Sequence, residues 1–180
     1  MIDMIANIFT ASLNLIRLSL IKVLKGGRIT FNAVQFLSFG TTIRIGRKGR
    51  IILGRSTQTR KGVALLARSG TIDIGDRVGL NMNCIVTSHE MIEIGDNCVF
   101  GPNVMIFDHD HDYKGKTGGF LTSPIRIGNN VWVGANVVIL RGTTIGDNSV
   151  IGAGSVIKGA IPADCVVVQK RENCITKIER

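Results

Sequence analysis

Proline and aromatic residues are scarce in this 180-residue chain: it has 3 prolines, and aromatics make up 5%, including one tryptophan and one tyrosine. A core short of rings has to be filled by aliphatic side chains in a regular arrangement, which argues against an irregular α/β enzyme. Disorder is excluded as well, because 44% of the residues are hydrophobic. The four cysteines, Cys84, Cys98, Cys165 and Cys174, form no CxxC pair and no short disulfide framework. They read as reduced, mostly buried thiols of a cytoplasmic protein. Acidic residues are absent from 4–72, a stretch with twelve Lys or Arg, whereas 73–180 hold ten basic and twelve acidic groups. The net charge of +9 is therefore concentrated in the N-terminal part, which points to an anionic surface or polymer there. No nucleic-acid partner is expected.

A long uninterrupted apolar run is missing too. In residues 1–25 the polar positions Asp3, Asn7, Thr10, Asn14, Arg17 and Lys25 fall at helical spacing and make one stripe; the rest is mostly Ile, Leu, Met, Val and Phe. No basic region precedes the apolar part and no small-residue cleavage site follows it, so this is not a signal peptide. Asn7, Asn14 and Arg17 interrupt the run, which argues against a spanning helix. Two readings of an amphipathic helix over 1–27 stay open. It packs on the rest of the protein or on a sister subunit, or it lies in the inner face of the cytoplasmic membrane with Arg17, Lys22, Lys25 and Arg28 near anionic headgroups.

What is present is a repeat of six. From Ile127 in steps of six come Val133, Ile139, Ile145, Ile151 and Ile157, and glycine follows four of these six positions. The same phase runs through Ile74, Leu80 and Val86, and through Ile94, Phe100 and Ile106. A looser form occurs at Ile43–Gly46 and Leu53–Gly54. A period of six fits neither an α-helix nor a hairpin sheet, but it fits a solenoid of short parallel strands with three hexads per coil. Gly-Asp-Asn at 95–97 and 146–148 and Gly-Asn-Asn at 128–130 suit corners that need positive φ. The phase breaks twice. Two residues are inserted near Thr87–His89, and residues 107–122, FDHDHDYKGKTGGFLT, fit no hexad and are expected to bulge out as a loop. The expected architecture is all-β: a helix over 1–27, a parallel β-helix over 28–165 with the extruded loop 107–122, and a C-terminal extension over 166–180.

Pro124–Ile139 and Ile145–Ser155, with the Gly-Asn-Asn-Val-Trp run and the loop, resemble the hexapeptide-repeat acyltransferases with a left-handed parallel β-helix. Within that family the chain resembles the sugar O-acetyltransferase branch that includes galactoside and maltose acetyltransferases, and is more similar still to the acetyltransferases of bacterial capsule and exopolysaccharide clusters. The resemblance covers about residues 40–165. It implies acetyl-CoA as co-substrate, no metal, and a homotrimer with each site between two prisms.

All three histidines, His89, His109 and His111, lie where the hexads break. Transfer of an acetyl group to a sugar hydroxyl needs a general base, and a histidine suits that task at neutral pH. The resemblance places the family's catalytic histidine on His111. His109 either orients the acceptor or faces water. Asp108, Asp110 and Asp112 flank the pair, and one of them is expected to fix a histidine tautomer; Asp108 is grouped with His109 among the residues at the acceptor. The resemblance carries acceptor contacts onto Asn81 and onto His89, where the family has an acid. For the donor it implies backbone at Ala135 and Ala153 near Trp132, with Lys158 toward a phosphate. The family's Gly-x-Pro-Ala-Lys segment is missing, and the chain reads Val168–Glu172 instead. Gly115-Lys116-Thr117 fails as a P-loop, because residue 110 is aspartate rather than glycine.

The function expected is direct acetyl transfer to a saccharide hydroxyl in capsule, exopolysaccharide or O-antigen synthesis, on an acceptor that the basic front would suit if it is lipid-linked. The alternatives are a metalloenzyme of the γ-carbonic anhydrase type, for which His-x-His at 109 and 111 has the wrong spacing, and a non-enzymatic scaffold.

Overall fold

The computed structural model describes residues 2–115 and 118–170. Expectations for the rest of the C-terminal extension, for Cys174 and for Lys116-Thr117 lie outside the described residues. After the N-terminal helix, Ile2–Leu24, the chain winds as a left-handed parallel β-helix with three faces. The first face stacks Ile29–Phe31, Arg50–Leu53, Thr71–Ile74, Met91–Ile94, Ile125–Ile127, Thr144–Ile145 and Ala160–Ile161. The second stacks Phe36–Leu37, Gln58–Thr59, Gly79–Leu80, Val99–Phe100, Trp132–Val133, Val150–Ile151 and Val166–Val167. The third stacks Thr42–Ile45, Ala64–Ala67, Ile85–Ser88, Met105–Phe107, Val138–Leu140 and Val156–Ile157.

Parallel register sets each inward residue over its equivalent one coil away. Leu53, Ile74, Ile94, Ile127 and Ile145 form one column, and Leu80, Phe100, Val133 and Ile151 another. These side chains are almost wholly buried, each burial contributing roughly 1.5–3 kcal/mol before entropy. Stacked, mostly branched aliphatic side chains are how a sequence poor in rings fills its interior. The eighteen-residue coil begins only at Ile127. Earlier coils are longer and bury a second column on the first face, Ile29, Ile51, Ile72, Ile92 and Ile125. The two residues inserted near Thr87–His89 thus lengthen strands rather than bulge.

The corner between the first and second faces takes the left-handed conformation at Ser56, Arg77, Asn97, Asn130, Asn148 and Asp164. Asparagine tolerates this backbone, and its amide here has a further use. The Arg77 guanidinium donates to Asn97 Oδ1 (2.6 Å), Asn97 Nδ2 to Asn130 Oδ1 (3.1 Å), Asn130 Nδ2 to Asn148 Oδ1 (3.0 Å), and Asn148 Nδ2 to Asp164 Oδ1 (2.8 Å). A ladder of amides therefore clips successive coils together. The N-terminal helix ends in a Schellman motif: Gly27 N–H donates to Lys22 O and Gly26 N–H to Val23 O, with Gly26 at φ 58°.

Candidate functional site

The third corner, between the third and first faces, has no fixed form. In successive coils it consists of residues 46–49, 68–70, 89–90, 108–124, 141–143 and 158–159. The long excursion is a two-stranded antiparallel hairpin, His109–His111 against Phe120–Thr122, with His111 opposite Phe120 and His109 opposite Thr122. Strand Met105–Phe107 runs on to Phe107, so the loop is 108–124, close to the expected 107–122.

Asp108, where the chain leaves the prism, is completely buried. Its carboxylate accepts Ser88 Oγ–H (2.7 Å), His89 N–H (2.8 Å) and Glu90 N–H (2.8 Å), and its carbonyl accepts Ser123 N–H (2.9 Å). One carboxylate thus ties the base of the hairpin to the corner of the coil below. It also lies 3.3 Å from His109 Nδ1, close enough to orient that ring. Asp108 is therefore turned inward with its oxygens occupied by this chain. At the other side of the hairpin, Asp110 accepts from Arg141 Nε (2.6 Å), which fastens it to the coil above.

The structure brings the three histidines together around Phe120. The His89 and His109 rings stack at 4.3 Å between centroids, tilted by 52°. The Phe120 ring lies 4.2 Å from His89, 5.0 Å from His109 and 4.8 Å from His111. His109 is mostly enclosed and His111 is exposed. Burial holds the His89 imidazole below the ordinary histidine range. The charges of His109, Arg68 and His111 add to that depression and Asp108 opposes it. His89 also receives the Ser69 hydroxyl on its carbonyl (2.8 Å). Phe120 and Arg141 are the site residues that sequence reasoning missed. Phe120 shares its loop with Phe107 and Tyr113, so nothing in the sequence singled it out, and nothing paired Arg141 with Asp110. Among the described residues, no group of three His, Cys, Asp or Glu is arranged to hold a metal ion.

The other candidates lie elsewhere on the prism. Asn81, exposed, accepts Met82 N–H on its own side chain and turns the corner between the second and third faces. Ala135 and Ala153 belong to that same corner two and three coils on, and Trp132 stands outward on the second face, exposed beside Val99 and Val150. Coils approach closely there: a Cβ on Gly134 would lie 2.6 Å from Ala153 N. The result is a ledge of small side chains. Lys158 sits on the histidine corner instead, away from Ala153. Within one chain the histidines and the Ala135–Ala153 ledge are separated by the width of the third face.

Burial raises the Cys84 thiol and pushes Cys98 up to about 11, so both are inert as nucleophiles at neutral pH.

Comparison with known proteins bears on this arrangement. Residues 124–159 match the family "Bacterial transferase hexapeptide (six repeats)". The chain is 44% identical over 98 residues to galactoside O-acetyltransferase of Escherichia coli (strain K12), covering 53% of this chain and 48% of that one. It is 31% identical over 154 residues to the putative lipopolysaccharide biosynthesis O-acetyl transferase WbbJ of the same strain, covering 78% and 77%. A hexapeptide-repeat-containing acetyltransferase of Vibrio cholerae O1 biovar eltor, solved in complex with acetyl coenzyme A, superposes with a TM-score of 0.52 at 30% identity, over 71% of this chain and 65% of that one. The chain spans about half the length of the first curated relatives it matches. The stacked coils, the extruded hairpin and these likenesses agree: the chain belongs to the hexapeptide-repeat acyltransferases, related to the sugar O-acetyltransferases.

Proposed function

We propose that this protein transfers an acetyl group from acetyl-CoA to a saccharide hydroxyl, in a ternary complex, with His111 as general base. The observation that carries the reading is the hairpin. Asp108 ties its base to the coil below, Arg141 of the coil above holds Asp110 on the first strand, and that strand presents His111 outward, braced by Phe120. A solenoid serving only as a scaffold needs no such device. Bound acetyl-CoA supplies the activated thioester. The chain's own part is to hold the acceptor and take its proton. The Nε2 or Nδ1 of His111 would receive the hydroxyl proton as the oxygen attacks, and an imidazole suits this at neutral pH. His109 and His89, stacked and oriented by Asp108, would shape the acceptor side. Asn81, and the Ala135–Ala153 ledge with Trp132 and Lys158, would serve acceptor and donor from other parts of the surface.

That division favours a homotrimer in which the ledge of one prism faces the histidine corner of the next. The outward apolar residues Val99, Trp132 and Val166 on the second face give such an interface material to bury. With the buried thiols passive, no acyl-enzyme step is called for. Similarity to a lipopolysaccharide-biosynthesis acetyltransferase over most of both chains supports a cell-envelope glycan as acceptor. His89 and His109 lie ring to ring while His111 contacts Phe120, and among the described residues no three ligands are grouped to hold a metal ion, which favours proton transfer over the γ-carbonic-anhydrase reading. The test is a transfer assay with acetyl-CoA over a panel of saccharides, on the wild-type protein and His111→Ala. Transfer to a sugar that the variant loses supports the reading. Transfer by His111→Ala at near wild-type kcat overturns the assignment of the base, and coenzyme A release with no sugar of the panel acetylated overturns the acceptor class.

A further inference from the structure

Over residues 8–24 the N-terminal helix is amphipathic in reverse: Asn14 and Arg17 of its polar stripe face protein and its apolar side faces outward. Asn14 is fully buried, and its amide donates to Leu37 O (2.8 Å) and Thr10 O (3.0 Å). Arg17 donates to Ser38 O and Thr41 O. Leu37 O and Thr41 O of the first coil have no preceding coil to receive from, so a polar helix face caps the open end of the solenoid. Leu18, fully buried, and Ile21 complete the contact. The opposite side carries Phe9 at 63% exposure, Ile16 at 63%, Leu20 at 60% and Val23 at 79%, with Ile8, Leu15 and Leu24 beside them. A contiguous apolar surface of this kind marks an interaction site.

The charge around it says what the partner is. Arg28 donates to Lys25 O (2.7 Å) and Arg47 O (2.7 Å), gathering Lys22, Lys25, Arg28, Arg47 and Lys48 at the helix's C-terminal end. At the other end Thr10 shares a groove with Arg60 and Lys61. No acid occurs in residues 4–72. A second copy seated face to face would set this cationic zone against itself, whereas a bilayer with anionic lipids takes both the apolar side chains and the charges. We propose that the N-terminal end of the solenoid docks on an anionic bilayer. The helix lies in the boundary between headgroups and acyl chains, and Lys22, Lys25, Arg47 and Lys48 meet lipid phosphates. Among the described residues no helix is long and apolar enough to cross a membrane, so the helix lies on the surface. The histidine corner then sits three coil steps from the first coil, roughly 14 Å at the spacing of neighbouring strands, close to the headgroups.

The experiment is flotation of the full chain with vesicles of phosphatidylcholine alone and of phosphatidylcholine with phosphatidylglycerol. Flotation with the anionic vesicles only, reversed by high salt, is expected. Lys22→Gln and Lys25→Gln should each weaken binding about fivefold, the equivalent of about 1 kcal/mol per cation near an anionic surface. Ile16→Glu with Leu20→Glu should abolish flotation and leave the thermal unfolding of the solenoid unchanged. Failure to float with either vesicle, or equal flotation with both, overturns the proposal. So does a change of subunit number in light scattering for Ile16→Glu with vesicle binding intact, which would make the partner a second copy. Lys22 is exposed and Lys25 half-exposed at the helix end, so the lysine variants test the proposal even if the glutamate pair does not fold.

Discussion

Two corners of this prism have the same length in every coil, and the third varies from coil to coil. Between the first and second faces each turn has four residues, from 32–35 to 162–165, and between the second and third faces each also has four, from 38–41 to 152–155. At the third corner the connection runs from two residues to the seventeen of 108–124. The regular corners are governed by stacking, because each turn must sit on the one below to pass a hydrogen bond or an aliphatic contact along the axis. The irregular corner is released from that demand, and there the chain concentrates its histidines, its hairpin and its ion pair between Asp110 and Arg141. Regularity fixes the frame, and departure from it supplies the chemistry.

The sharpest way to break this contrast is to remove the proposed base. His111→Ala is expected to lower kcat about 10²–10⁴-fold with no change in thermal unfolding, since the ring is exposed and outside every inward column. His109→Ala should cost less in kcat and more in KM for the acceptor, because that ring is enclosed between Phe107, Phe120 and His89. The reverse ranking in steady-state kinetics would move the base to His109. Asp108→Asn comes next. It places an amide against the Ser88 hydroxyl and two backbone N–H groups, and losing charge-assisted bonds in a buried place should cost about 2–4 kcal/mol in denaturant unfolding. A loss below about 0.5 kcal/mol would show that the carboxylate is not the tie it looks to be.

A regular corner should respond to backbone conformation and not to chemistry. Asn130→Ala forces a Cβ-bearing residue without a side-chain partner to keep φ at 56° and cuts the amide ladder on both sides. About 2 kcal/mol of stability should be lost, with turnover per folded molecule unchanged. Asn130→Gly relieves the backbone term and should lose only about half as much.

How much of this was legible follows from the same contrast. Six-residue spacing betrays the columns from Ile127 to Ile157 because every coil obeys one rule there, and Gly-Asn-Asn at 128–130 marks its corner because positive φ selects those residues. The loop was legible as a break in phase. Its contents were less so. That Asp108 turns inward while Asp110 reaches Arg141 depends on the pleat of a short hairpin and on a coil thirty residues later, and no local pattern carries it. The N-terminal helix gave its polar stripe plainly, but spacing does not say which side faces protein. The open carbonyls of Leu37 and Thr41 decide that, and they draw the polar side inward.

The smallest effect concerns pH and ties the irregular corner back to stability. Burial, aided by the neighbouring cations, keeps the His89 imidazole below its ordinary value in the folded protein. In the unfolded chain it titrates near the usual 6.5. Above that value both states are neutral at this position and His89 adds no pH dependence. As pH falls from there toward the lowered folded value, the unfolded chain takes up a proton that the folded one resists, so stability declines with falling pH. His89→Gln removes the titrating group and keeps a polar side chain of moderate size. The variant's stability, from unfolding curves at a series of pH values, should fall less steeply than that of the wild type through the histidine range, while the two slopes coincide at alkaline pH. Equal slopes throughout would mean that the stacked pair of His89 and His109 accommodates a proton without cost, and that the ring cluster is looser than its centroid distance of 4.3 Å implies.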